Sequence, residues 1–356
     1  MPWRVLTRQL RRVMLPEFQK TWNRDIDARL KGLQQALGNL QQELAQLRKA
    51  NRRLELLREW DETHAATLVM LQDRLAVDRI AAHIRAAIER ADVVADPAPH
   101  IVVEQILPLD VYELLLQSIP PPEFFSDRDP VKQDFELRDL PRAPRFSRAV
   151  WSFFDQQVVA QVLSPAVFER LRPAVVERYC RLLGSSVGVR AATLIHQTRS
   201  GRIMLRRPGY QLKPHLDPKR VVLTGIVYLA RPSDSEEYGT QLFRVTQPFV
   251  QPCMKTFFPE DAGLRCELAR TVPFRPNSLL AFVNAEGAHG AILPRDARLL
   301  ERYAYQFYIK PAEDEFVDLL RYLPPDERAP WEEMLGQPDQ LLEAGDRRPA
   351  TPAFSG

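Results

Sequence analysis

Three side chains in this chain have the types and the spacing to hold a transition metal. His215 and Asp217 stand two residues apart in the stretch 210–229, YQLKPHLDPKRVVLTGIVYL. A further histidine, His289, lies in the stretch 276–294, PNSLLAFVNAEGAHGAILP. On an extended segment residues i and i+2 project from one face. An imidazole nitrogen and a carboxylate oxygen can then reach one metal from adjacent corners. Two histidines and one carboxylate form the facial ligand set of non-haem Fe(II), which leaves three metal positions open. The third ligand has to come from another strand of the same sheet, so a long gap in sequence is expected. Taken alone, the His215/Asp217 pair also fits a structural hydrogen bond on a strand; His289 and the residues after it favour the metal. His64, His83, His100 and His196 lack such a setting, and His64 and His83 fall in a helical stretch where surface or locally satisfied roles are expected.

Around this triad the order of residues becomes more specific. The apolar, β-branched run after Asp217 ends in Tyr228-Leu229, Gly239-Thr240 opens the next strand, and Arg302 begins an alternating segment, RYAYQFYIK, with Ala304 and Gln306 on its own face. This succession resembles the Fe(II)/2-oxoglutarate-dependent dioxygenases, in particular their prolyl-hydroxylase-like and phytanoyl-type branch, over roughly residues 98–312. The resemblance implies a double-stranded β-helix (jelly roll) with supporting helices. It also implies Fe(II) on His215, Asp217 and His289, with 2-oxoglutarate as co-substrate and O2 as the third reactant. Arg302 would hold the distal carboxylate of 2-oxoglutarate, a task suited to a guanidinium because it grips a carboxylate with two parallel hydrogen bonds. The gap of 13 residues from His289 to Arg302 is longer than the family's usual spacing, which makes Arg298 a rival and Arg295 a weaker one. The Tyr228 hydroxyl would contact the same carboxylate; the alternative is a buried aromatic bonded to the backbone. A carboxylate at Asp217, where related halogenases carry a small residue, points to hydroxylation or desaturation. The implied reaction converts 2-oxoglutarate and O2 to succinate and CO2 while a substrate is hydroxylated. A protein side chain, a sugar or nucleotide-sugar, and a lipid-like or natural-product precursor all remain open as that substrate.

The elements that must position these groups are legible in outline, and the expected class is α+β. Between 16 and 94 there is no proline after Pro16, the only glycines are Gly32 and Gly38, and helix formers dominate. Ile26, Leu30, Leu33, Leu37, Leu40, Leu44 and Leu47 alternate in steps of four and three, a heptad seam with Leu54 at a later d position. Asn23 and Asn51 fall at a, where asparagine fixes register and favours a parallel pair. Arg58 and Asp61 would occupy the next seam positions, so the coiled coil is expected to end near residue 57. A homodimer through this arm is expected, against the alternative of a monomeric helical hairpin packed on the catalytic domain. The stretch ADPAPH marks a boundary, giving an arm at 1–95, an oxygenase domain at 98–325 with its jelly-roll core at about 189–312, and a largely irregular tail at 326–356. Residues 100–120 read as strand, turn and helix. Residues 120–144 read as a long proline-rich loop, and 147–184 as two helices, the second capped by Ser164 with Pro165 in its first turn. Strands are expected in VRAATLIHQT, RIMLRR, YQLKPHLD, VVLTGIVYLA, TQLFRVT, SLLAFV and RYAYQFYIK. Arg202 and Arg206 share one face of a strand, where they hold an anionic substrate group or form a solvated edge that discourages pairing.

Composition sets the remaining bounds. The 356 residues are 45% hydrophobic and 27% charged, with a net charge of +3, too small to argue for nucleic-acid binding. Residues 1–60 carry 13 Lys and Arg against 6 Asp and Glu. Their basic start could lie on an anionic membrane surface, but its apolar face is short and a solvated helix start is the simpler reading. Cys180, Cys253 and Cys266 show no CxxC spacing, which argues against a disulfide framework or zinc site and for a reducing cytoplasm. The functional alternatives are a coiled-coil interaction protein whose jelly roll binds a metal or ligand without turnover, and a cupin-type metalloenzyme, in which the Arg-led last strand would have no task.

Overall fold

The computed structural model of the chain describes residues 3–126, 129–252 and 254–335. They divide into two compact units, residues 1–59 and 60–356. The first unit is carried by α1 (Trp3–Thr63), one helix of 61 residues. Its seam residues from Ile26 to Leu54 are 40–67% exposed.

The second unit begins with the short helices α2 (Ala65–Val69) and α3 (Leu71–Arg74) and with α4 (Val77–Glu89). Ile80, Ile84 and Ile88, at helical spacing on α4, are buried in the core of this unit together with Ala81 and Ala87. Residues 60–94 therefore belong with the second unit, ahead of the boundary expected near 95. The prolines of ADPAPH separate α4 from the first strand, β1 (His100–Glu104). Next come α5 (Leu109–Gln117), β2 (Lys132–Glu136) and α6 (Arg145–Phe153), a π-helical stretch (Phe154–Leu163), and α7 (Ser164–Leu183) with α8 (Ser185–Ala191). The remaining strands are β3 (His196–Arg206), β4 (Tyr210–His215), β5 (Leu223–Tyr228), β6 (Thr240–Val245), β7 (Cys266–Val272), β8 (Ser278–Val283), β9 (Ala288–Leu293) and β10 (Arg302–Pro311). The described chain closes with α9 (Glu313–Leu320) and α10 (Pro325–Leu335). None of the described helices is long and apolar enough to cross a membrane.

The strands form two antiparallel sheets, one in the order β1-β8-β5-β10-β3-β2 and one in the order β4-β9-β6-β7. Alternation along each strand sorts its side chains to two faces. On the six-stranded sheet, Leu223, Val227, Tyr303, Tyr305, Phe307 and Ile309 join the main core with the helices. The opposite face sends Ile226, Tyr228, Leu280, Phe282 and Ala304 into a second cluster. Tyr210, Leu242, Val272 and Leu293 of the four-stranded sheet meet them there. This inward face carries the site.

Several sequence expectations are corrected. Residues 189–191, expected to open a strand, belong instead to α8: Gly184, with φ +76°, ends α7, and Val187, Gly188 and Ala191 bury one side of the new turns. β2 lies inside the stretch read as a loop; only Phe135 among its five residues is apolar and buried, so its pattern is too short to stand out. β7 was not foreseen because it alternates weakly and is mostly exposed until Val272. Ser164 caps nothing, since the π-helical stretch runs directly into α7 and the Ser164 hydroxyl is buried without a partner. The expected irregular tail holds α10, anchored by Trp331 against Phe316; the rest of that tail, 336–356, lies outside the described residues.

One glycine follows from close approach. A Cβ on Gly239 would stand 1.5 Å from the Val272 carbonyl oxygen, backbone that cannot yield without parting β6 from β7. Gly239→Ala is expected to destabilise the second unit by about 1–3 kcal/mol or more in urea unfolding. Gly38→Ala, where a Cβ meets nothing, is expected to change the arm in the opposite direction, raising its helicity by circular dichroism.

Candidate metal centre

The triad is assembled by strand register. His215 ends β4 and His289 lies on β9, and the two are direct cross-strand partners. Their ring centroids are 4.1 Å apart. Asp217 follows just beyond the end of β4, where Leu216 still exchanges backbone hydrogen bonds of 2.8 and 3.0 Å with Phe257. One donor atom from each of His215, Asp217 and His289 lies within 4.8 Å of the others, and all three residues are buried. Among the described residues this is the one such group. The expectation of a His-x-Asp pair meeting a histidine from another strand of its own sheet thus matches the observed geometry.

The neighbouring groups orient these atoms. The Nδ1–H of His215 donates to the Lys213 carbonyl oxygen at 3.0 Å, which leaves Nε2 with its lone pair free. The Thr224 hydroxyl donates to Asp217 Oδ2 at 2.6 Å, and the Tyr308 hydroxyl stands 3.5 Å from Oδ1. The Asp217 main-chain carbonyl accepts from Asn284 Nδ2 at 2.9 Å and from Gln251 Nε2 at 3.1 Å. Behind that turn, the buried Arg178 guanidinium donates to the carbonyls of Lys219, Val221 and Asn284. Thr224, Tyr308, Gln251, Asn284 and Arg178 were not picked out from the sequence. Only Thr224 and Tyr308 had a visible signal, since each sits on the inward face of a predicted strand.

Burial pushes the His289 imidazolium down to about 3, with repulsion from His215 adding to it and Asp217 opposing it. Burial likewise lowers His215, again against the pull of Asp217. Both rings are neutral near pH 7, the form that ligates a metal. The centre thus presents two neutral nitrogen donors and a carboxylate oxygen, in a place where an uncompensated charge is costly. A divalent cation fits that donor set. Phe282 and Phe258 flank the rings, at centroid distances of 4.6 Å from His289 and 5.6 Å from His215.

A second polar pole lies on the same inward face. Arg302, Ala304, Gln306 and Tyr308 alternate along β10, opposite Thr224, Ile226 and Tyr228 of β5. Arg302 is buried, with Nε donating to the Tyr238 carbonyl at 2.6 Å and Nη2 at 3.5 Å from Thr240 Oγ1. Its guanidinium carbon stands 5.0 Å from the Phe274 ring centroid and 5.5 Å from that of Tyr228. The Tyr228 hydroxyl accepts the Thr240 N–H at 3.1 Å. No carboxylate among the described residues pairs with Arg302, and burial lowers its pKa. Arg298, by contrast, is exposed on a loop, where it lines a surface cleft of about 1000 Å³ with Arg207, Arg231 and Glu301.

Arg202 and Arg206 do not form a solvated edge, because β2 covers β3. Arg206 is buried and reaches Asp134 at 2.8 Å, while Arg202 donates to Gln306 Oε1 at 2.9 Å. Against the effect of burial, these two cations hold the Asp134 carboxyl below its ordinary range.

No sequence-family profile matches this chain, and no curated protein sequence does. Solved structures similar to it include HygX from Streptomyces hygroscopicus with nickel, 2-oxoglutarate and hygromycin B bound. That match has 12% identity and a TM-score of 0.36, covering 60% of this chain and 83% of the other. A Pseudomonas putida prolyl-4-hydroxylase matches at 15% identity and a TM-score of 0.33, covering 65% and 98%. The epimerase SnoN in complex with Fe3+, alpha ketoglutarate and nogalamycin RO matches at 14% identity and a TM-score of 0.35, covering 67% and 84%. Likeness of this degree carries no functional argument, which rests on the side chains themselves.

The hydrogen bond from Thr224 gives a direct test of how Asp217 is held. Thr224→Val keeps the side chain's shape and removes the donor. It is expected to weaken divalent-metal binding about 10–100-fold in calorimetric titration while leaving the far-ultraviolet dichroism unchanged.

Proposed function

We propose that this chain is an Fe(II)/2-oxoglutarate-dependent oxygenase, a hydroxylase, whose two sheets are the halves of a double-stranded β-helix. The observation that carries the reading is the pairing of two buried, incomplete charge sites on one inward face. His215, Asp217 and His289 form a donor set suited to a cation, and Arg302 is a cation with no acid beside it among the described residues. A 2-oxo dicarboxylic acid, together with a metal, answers both. Its keto-acid end would complete the metal's coordination, and its far carboxylate would meet Arg302 and the Tyr228 hydroxyl. When bound, Fe(II) would supply the oxidative decarboxylation of 2-oxoglutarate with O2 to succinate and CO2, and with it the oxidation of substrate.

The chain's own residues do the positioning. His215 and His289 stay neutral and hold the metal from adjacent strands. Thr224 fixes one oxygen of Asp217, and the Tyr308 hydroxyl stands at 3.5 Å from the other. Tyr228 and Arg302 orient the co-substrate along β5 and β10, and Phe274, packed against both, keeps water from that end. The wall beside Asp217 is polar: Tyr308, Gln306 and Arg202 line it, with Glu136 next to Arg202 in the β2–β3 register. Burial raises the Glu136 carboxyl pKa against the pull of Arg202. Such a wall favours a substrate with hydroxyl or amine groups over a lipid chain. A non-catalytic or cupin-type site would leave the buried Arg302 and Tyr228 without a task.

Anaerobic titration with Fe(II) and 2-oxoglutarate tests the reading by the weak visible charge-transfer band of the chelate. The band is expected in the wild type and its loss in Asp217→Ala and His215→Ala. Arg302→Ala is expected to raise the 2-oxoglutarate concentration needed for half-saturation by at least about tenfold, the size of one charge-assisted pair. Arg298→Ala is expected to leave it unchanged; the reverse pattern would move the cofactor arginine to the loop. Metal binding without any band would instead support the non-catalytic site.

A further inference from the structure

We infer that the arm is one half of a parallel, in-register, two-stranded coiled coil made with a second copy of this chain. The inference is independent of the enzymatic reading. The first observation is the exposed seam. Leu30, Leu37 and Leu44 at a, and Ile26, Leu33, Leu40, Leu47 and Leu54 at d, are all exposed along one stripe of α1. Large apolar side chains in a stripe of about four heptads, interrupted only at Asn51, mark an interface. The stripe stops where Arg58 and Asp61 take the next a and d positions.

The second observation decides the occupant and its direction. Asn23 and Asn51 both stand at a, one at each end of the seam. In an antiparallel pair each a layer packs against d, so each asparagine would bury its amide against a leucine or isoleucine. A parallel pair shifted by one heptad fails the same way, because Asn51 would face Leu44 or a polar Arg58. In register, each asparagine meets its own counterpart, and amide N–H and C=O groups pair across the seam. A second copy carries both asparagines at matching places. Asparagine at a also selects two strands over three or four.

The flanks agree. Glu43 at g and Arg48 at the following e make no ion pair with any of the described residues of their own chain. In the parallel arrangement Glu43 of one protomer lies opposite Arg48 of its partner, and the symmetric contact repeats on the other side.

The test uses the full chain with the native cysteines Cys180, Cys253 and Cys266 changed to serine. Sedimentation equilibrium at micromolar concentration is expected to give the mass of two chains. Asn51→Cys, placed at a, is expected to form a covalent dimer on mild oxidation, while Lys49→Cys, on the outer f position, is not. Leu37→Glu with Leu40→Glu is expected to reduce the mass to one chain. Asn51→Leu is expected to keep the arm helical and to yield mixed oligomers. A single-chain mass in the unsubstituted arm overturns the inference, as does a mass of three or four chains. A two-chain mass in which Asn51→Cys fails to cross-link overturns the parallel register.

Discussion

The second unit is organised around one constraint: a carboxylate and two imidazoles are buried together, and neither imidazole is charged to offset the carboxylate. Burial drives His215 and His289 toward the neutral form, so neither ring neutralises Asp217. The carboxylate is instead held by hydrogen bonds, from Thr224 to one oxygen and from the Tyr308 side to the other. The turn that carries it is fixed from behind by Asn284, Gln251 and Arg178, which come from well-separated parts of the chain. Such heavy support on a short turn is what a preorganised ligand set needs, since a donor displaced by even an ångström loses the metal.

Arg302 obeys the complementary rule. A buried guanidinium is normally matched by an acid, as Arg206 is by Asp134 on the neighbouring strand. Arg302 has a carbonyl, a hydroxyl and two aromatic faces around it. These contacts hold its orientation without neutralising it. Gly239 enters here for a structural reason: the absence of its side chain lets β6 close on Val272, and that closure sets Thr240 between Tyr228 and Arg302. Arg206 and Arg302 are cross-strand partners and both are buried. Arg206 is neutralised within the fold; Arg302 has no acid beside it among the described residues.

The parts of this structure legible in the sequence are those with a strong local period or a rare residue pairing. The triad was visible because His-x-Asp at the start of an apolar run is uncommon and because β-sheet register supplies the third ligand from afar. Arg302 was visible as the start of an alternating strand; the long gap after His289 also admitted Arg298, which is exposed on a loop while Arg302 is buried in the sheet. The arm was visible as a helix because a long run of helix formers without proline carries its apolar residues in steps of three and four. What escaped detection was weakly patterned. β2 offers one buried side chain in five, and β7 faces solvent for most of its length. The helix α8 was hidden because Val, Ala and Gly in a short run fit strand and helix alike. Arg178 and Asn284 act through main-chain carbonyls far away in sequence, and no local pattern announces such contacts.

The arm and the site depart from the usual sorting of residues in opposite ways. In the arm, large apolar side chains remain in water; in the site, charged groups are withdrawn from it. Each departure costs stability in the isolated chain, and each is specific about what would relieve it. The seam repeats at 3.5 residues and carries its two amides at a, which a matching seam in register satisfies. The site holds an acceptor triad and a separated guanidinium on one face, which a metal and a dicarboxylate can satisfy together. Both proposed occupants are therefore chosen by shape and charge, because one of different shape or charge would leave a buried polar group unpaired.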